Sequence, residues 1–163
     1  MRKYDKVMMK TAKAFSRESY CIRKRVGCVI AKDGRIISTG YNGTIKGMSN
    51  TCEDETVICV KCDSVIPKGE DSCSCGLPKE LGSKTITTNE FTLHAEQNAI
   101  TYAAKEGLSL NNATMYITLS PCKTCAKLIA SSGIIRVVYK DVYRDMSGVE
   151  FLSKIPYITV SKY

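Results

Sequence analysis

The chain has 163 residues, with 24 Lys and Arg against 16 Asp and Glu, 44% hydrophobic residues, 25% charged residues and a formal charge of +8. That is the make-up of one folded domain; it excludes a disordered chain, and no run nears the ~18 to 20 apolar residues of a membrane span. The charge suits anionic partners such as nucleotides or nucleic acid. Nine Cys, behind a charged N-terminus with no apolar leader block, read as cytosolic thiols and metal ligands before disulfides.

Tyr4, Val7, Met8, Thr11, Ala12 and Phe15 recur at helical spacing and predict an amphipathic helix over residues 3–20, closing near Ser19. Two β-branched runs, 26–30 and 35–39, flank Lys32-Asp33-Gly34, and the Asp-Gly pair between them predicts a hairpin. Gly40-Tyr41-Asn42-Gly43 follows, a backbone that turns sharply or approaches something closely; a substrate loop and a plain turn both fit. From about residue 49 to 91 the periodicity fails, and five Cys and three Gly accumulate with little apolar residue. This segment reads as an insert without a core of its own.

After it come a helix over 94–106 closed by Gly107, a strand over 115–118, a helix over 122–132 and a strand over 134–139. A short helix over 148–154 and a strand over 155–160 finish the chain. The order predicts one α/β domain over 1–163 with a five-stranded mixed sheet, antiparallel at the hairpin and parallel across the helical crossovers. Helices should cover both faces, giving three α/β/α layers.

The chemistry sits in two short motifs. Leu93-His94-Ala95-Glu96 opens one crossover helix, and Ser120-Pro121-Cys122-Lys123-Thr124-Cys125 opens the next. Both helix starts fall at the carboxyl edge of the sheet, so His94, Cys122 and Cys125 can converge as a three-ligand zinc set with the fourth position left for water. Helix N-termini favour thiolate over thiol, and bound zinc lowers the pKa of water to roughly 7. Glu96 lies too near His94 to be a second ligand on that helix face, and reads as the proton shuttle. Either half alone is weak, since a His at a helix start is often a cap and a Cys-x-x-Cys often a structural or redox pair. Together, His-x-Glu and Pro-Cys-x-x-Cys are the signature of zinc nucleobase deaminases, and His94 is the chain's only His.

On these motifs the chain resembles the deoxycytidylate (dCMP) deaminases of the bacterial and phage branch. The resemblance also runs through residues 19–30, through 34–43 with its Gly-Tyr-Asn-Gly ending, through 94–100 and 118–126, and on to Arg136-Val137-Val138-Tyr139 and Tyr143-Arg144-Asp145. It implies a cytidine deaminase-like fold and hydrolytic conversion of dCMP to dUMP and ammonia, feeding thymidylate synthesis. Glu96 would then be the catalytic acid and base, and Asn42 and Tyr143 would contact or border the nucleotide. The phosphate calls for a cation, and Arg25, with Arg23 and Lys24, precedes the first strand; a solvated basic run is the plain alternative. Resemblance further implies a homohexamer in the cytoplasm, the host's if the gene is a phage's. It also implies activation by dCTP and inhibition by dTTP, with Mg2+ accompanying a triphosphate effector. Thr44-Ile45-Lys46 departs from the family by lacking a Pro there.

Within the insert, Cys59-Val60-Lys61-Cys62 and Cys73-Ser74-Cys75 suit a second, structural zinc with sulfur ligands only. Cys21 and Cys52 match positions that some relatives use in a second zinc site, so the ligand set stays open among six thiols. Cys28 reads as core packing. The rival enzymes are deaminases of a nucleoside, of dCTP or of tRNA adenosine; the rival from another class is a zinc-stabilised nucleic-acid-binding module. No basic-aromatic stretch suggests a stacking platform, which argues against a polynucleotide substrate.

Overall fold

The computed structural model describes residues 2–163. Helix α1 (Asp5–Ser16) leads into β1 (Gly27–Lys32) and β2 (Arg35–Tyr41), then the short β3 (Gly43–Thr44). The insert contributes β4 (Glu53–Ile58), β5 (Val65–Ile66) and β6 (Ser83–Thr88). The chain returns through β7 (Thr92–Leu93), α2 (Ala95–Lys105), β8 (Thr114–Leu119), α3 (Lys123–Ser131), β9 (Arg136–Asp141), α4 (Ser147–Ser153) and β10 (Thr159–Lys162). The hairpin turns at Asp33 and Gly34, both at positive φ, as an Asp-Gly connection between strands demands.

The main sheet has the order β10-β9-β8-β1-β2. Strand β1 lies between β2 and β8, antiparallel to both, while β8, β9 and β10 run parallel. Side chains alternate across it. Cys28, Ile30, Met115, Ile117 and Val137 join the cluster formed with α2, α3 and α4, whereas Val29, Ala31, Tyr116 and Val138 join Met8, Met9 and Ala12 of α1. One helix therefore covers one face and three cover the other, the expected three layers.

Three expectations need correction. The buried stripe of α1 is Asp5, Met8, Met9, Ala12 and Ser16, while Tyr4 and Val7 are exposed. The stripe is turned because Arg136 donates to both oxygens of Asp5, at 2.7 and 2.8 Å, and the Tyr116 hydroxyl donates to the same carboxylate at 2.9 Å. A charged residue thus lies inside, paired and satisfied. Arg136 holds the Asp5 carboxyl far below the usual carboxylate range.

The last strand starts at Thr159, four residues later than expected. Pro156 offers no N–H to a ladder, and the chain instead closes turns from Lys154 to Phe151 and from Ile158 to Ile155. Finally, the insert has both a sheet and a small core. Strands β5, β4 and β6 pair antiparallel, and Val57, Cys59, Ile66 and Cys73 pack beside Leu77. The strands Glu53–Ile58 and Ser83–Thr88 are polar on both faces, so they carry no apolar alternation.

Candidate metal-centred active site

His94 is the N-cap of α2 and Cys122 the N-cap of α3, each in extended conformation just before its helix. The Gln97 side chain accepts the His94 N–H at 2.8 Å, which fixes where α2 begins. Two close approaches set the helices against the sheet. A Cβ on Gly40 of β2 would strike the backbone of Ala95 and Ala99, and one on Gly148 of α4 would strike Pro121 and Cys122. Only glycine admits these contacts, and both lie within a few residues of the ligands.

The ligand atoms of His94, Cys122 and Cys125 all lie within 4.8 Å of one another. Cys125 Sγ stands 3.3 Å and Cys122 Sγ 3.6 Å from His94 Nδ1. The bond to Cys125 holds Cys122 down to about 4, and the same pairing pushes Cys125 up. The bond to Cys122 likewise raises His94. One imidazole and two sulfurs drawn to one point fit a zinc ion, with three protein ligands and one open position. Glu96, in the first turn of α2, is 3% exposed, and burial pushes its carboxyl up to about 7.

This cluster opens on a cavity of about 400 Å3, whose lining includes His94, Glu96, Cys122, Arg23, Lys24 and Arg144. Asn42 lines it too. Its Oδ1 accepts the Val26 N–H at 2.7 Å and its Nδ2 donates to the Lys24 carbonyl at 2.8 Å, so it pins the cation-bearing loop against the end of β2. Its φ is not positive, so its place here does not depend on the left-handed backbone that Asn tolerates. Tyr143 lines the cavity, donating its N–H to Ser120 Oγ at 2.7 Å, and Arg144 lies over its ring.

Arg25 is placed elsewhere. It lines a second hollow with Lys13 and Lys140, while Lys24 borders both spaces. The cavity also takes in Glu53, Thr88 and Thr92, which carried no sequence signal, as well as Arg144, whose signal was its place beside Tyr143.

The second cluster consists of Cys59, Cys62, Cys73 and Cys75, again with all sulfurs within 4.8 Å. Cys21 and Cys52 do not join it. They are bonded to each other as a disulfide with Cα atoms 5.1 Å apart, both buried, which corrects their reading as alternative ligands. Cys28 is a buried member of the main core.

The family profile described as "Cytidine and deoxycytidylate deaminase zinc-binding region" matches residues 1–141. The chain belongs to this deaminase family. Deoxycytidylate deaminase of Enterobacteria phage T4 is 43% identical over 150 residues, covering 83% of this chain and 77% of the relative. That of Mycobacterium phage D29 is 35% identical over 136 residues, covering 83% and 93%. The crystal structure of dCMP deaminase from the cyanophage S-TIM5, in complex with dCMP and dUMP, superposes with a TM-score of 0.75 at 32% identity, over 100% of this chain and 99% of that one. The fold is thus the cytidine deaminase-like one. Among the described residues no helix is long and apolar enough to cross a membrane.

Proposed function

We propose that this member of the family is a zinc-dependent deoxycytidylate deaminase that converts dCMP to dUMP and ammonia. One observation carries the reading: a single cavity is lined by His94 and Cys122 of the ligand set, by the buried Glu96 carboxyl and by three cations, the groups a base and its phosphate require. Kinship with phage deoxycytidylate deaminases supports the same substrate.

His94, Cys122 and Cys125 would hold the zinc, which when bound supplies a Lewis acid that lowers the pKa of water to about 7. Glu96 moves the protons. Its buried carboxyl can hold a proton at neutral pH, give it to the ring nitrogen beside the amine-bearing carbon, and carry another to the departing amine. Asn42 keeps the Lys24–Val26 backbone in place, so that Arg23 and Lys24 face the anionic end of the nucleotide. Tyr143 borders the same space.

The reading extends to thymidylate supply, to activation by dCTP and inhibition by dTTP, with Mg2+ accompanying the triphosphate, and to a homohexamer in the cytoplasm, the host's if the chain is phage-encoded. Family resemblance supports these parts. The test is ammonia release from dCMP, deoxycytidine, dCTP and a cytosine-containing oligonucleotide, with and without dCTP or dTTP, on protein of known zinc content. Turnover of dCMP alone, shifted by effector, is expected. Silence on all four substrates with zinc bound would overturn the reading.

A further inference from the structure

The four insert cysteines form two matching knuckles. In the first, the Cys59 N–H donates to the Ser64 carbonyl at 2.9 Å, the Lys61 N–H reaches Cys59 Sγ at 3.4 Å, and Asp63 takes positive φ. In the second, the Cys73 N–H donates to the Leu77 carbonyl at 2.8 Å, and Gly76 takes positive φ. The knuckles face each other, with Cys59 Sγ 3.5 Å from Cys75 and Cys62 Sγ 3.4 Å from Cys73. Zinc–sulfur bonds of about 2.3 Å in a tetrahedron place sulfurs roughly 3.8 Å apart, close to this spacing. The chemistry selects a soft dication, since all four donors are sulfur.

The insert needs such a centre. Two of the four buried members of its core are Cys59 and Cys73 themselves, and a segment under about 40 residues rarely holds together on its apolar contacts alone. The ladder of β4 and β6 then runs from the cluster to the cavity. Ile58 pairs with Ser83 next to the sulfurs, and Glu53 pairs with Thr88 at the far end, about 17 to 20 Å away for a six-residue strand. There Glu53 Oε1 accepts the N–H groups of Ile22 and Arg23, both at 3.1 Å, and Arg23 Nη1 donates to Thr88 Oγ1 at 3.3 Å. Arg23, Glu53 and Thr88 all line the cavity.

We propose that Cys59, Cys62, Cys73 and Cys75 bind a structural zinc ion, and that this ion, by holding the β4–β6 ladder, positions Arg23 to receive the phosphate of the nucleotide. The positioning role rests on the deaminase reading of the cavity; the metal site does not.

Zinc analysis of the intact protein should give two ions per chain. One ion per chain, with these four sulfurs found as disulfides or free thiols, overturns the site whether or not the protein deaminates anything. C62S/C75S, which alters the two exposed ligands, should retain one ion and lose hydrogen-exchange protection along Glu53–Ile58 while the main sheet keeps its own. Thr88→Val tests the positioning role on a chain with all ligands intact. Its KM for dCMP should rise roughly threefold to tenfold, the scale of one partly solvated charge-assisted contact, with kcat unchanged. Its kcat/KM for deoxycytidine, which has no phosphate, should not move. An unchanged KM for dCMP, or an equal loss on both substrates, overturns the positioning role.

Discussion

The two sulfur clusters differ in what supports them. His94, Cys122 and Cys125 stand on helix N-caps at the edge of a sheet whose core is buried without their help. The four insert cysteines stand on loops, and two of them are half of the core around them. At the first, the fold builds the ligand site; at the second, the ligand site builds the fold. Three ligands and a buried carboxyl leave room for chemistry, whereas four sulfurs leave none.

The largest expected effect separates chemistry from scaffold. Glu96→Gln should lower kcat roughly a hundredfold to ten-thousandfold, the range for a positioned proton-transfer group, with zinc content and melting temperature kept. A melting temperature that falls with kcat would show that Glu96 serves the fold instead.

Next comes the pair that anchors the scaffold under the first cluster. Arg136→Met leaves the buried Asp5 carboxylate unpaired and should cost about 3–5 kcal/mol in denaturant unfolding, with the insert's exchange protection untouched. The same pair sets an acid limit. Asp5 ordinarily titrates near 3.8 and is held far lower when folded, so its contribution is fully present above that pH and is lost as pH falls below it. Stability of the parent should therefore drop below about pH 4, and Asp5→Asn should flatten that part of the curve.

Gly148→Ala pushes a methyl group against Pro121 and Cys122, and should cost about 1–3 kcal/mol by overpacking. Zinc should leave the catalytic site of this variant faster on chelation, while the four-sulfur site keeps its rate. Equal rates at both sites would erase the contrast. The smallest effect is expected at Lys84→Ala, which removes an exposed 3.0 Å ion pair with Glu55 inside the insert. Melting should not shift measurably, since solvent-exposed pairs contribute little. A clear loss would mean that the insert depends on its charges as well as its sulfurs.

The catalytic end of the molecule was legible because its signals are local. His-x-Glu and Cys-x-x-Cys each lie within one turn of chain, and Asp33-Gly34 announces its own hairpin. The facing of α1 was not legible, since the partner that draws Asp5 inward, Arg136, is far along the chain and an isolated Asp reads as surface. Nor was Arg23 separable from Arg25, because which of two neighbouring cations faces the cavity is settled by the Glu53 and Thr88 contacts across the insert. The Cys21–Cys52 bond likewise depends on two loops meeting in space.

Where the insert leaves and rejoins the main chain, its two ends are bound to each other. The Asn89 N–H and the Thr92 hydroxyl both donate to the Cys52 carbonyl, at 2.9 and 3.0 Å. Such a closed seam makes the insert a cassette: for a flexible segment put in its place, loop-closure entropy adds about 0.6 kcal/mol for each doubling of length. A chain in which residues 57–84 give way to Asn-Gly, joining Thr56 directly to its ladder partner Thr85, should keep the five-stranded sheet by circular dichroism and hydrogen exchange. The seam is thus a graft point, open to shorter or longer segments without change to the sheet beneath it.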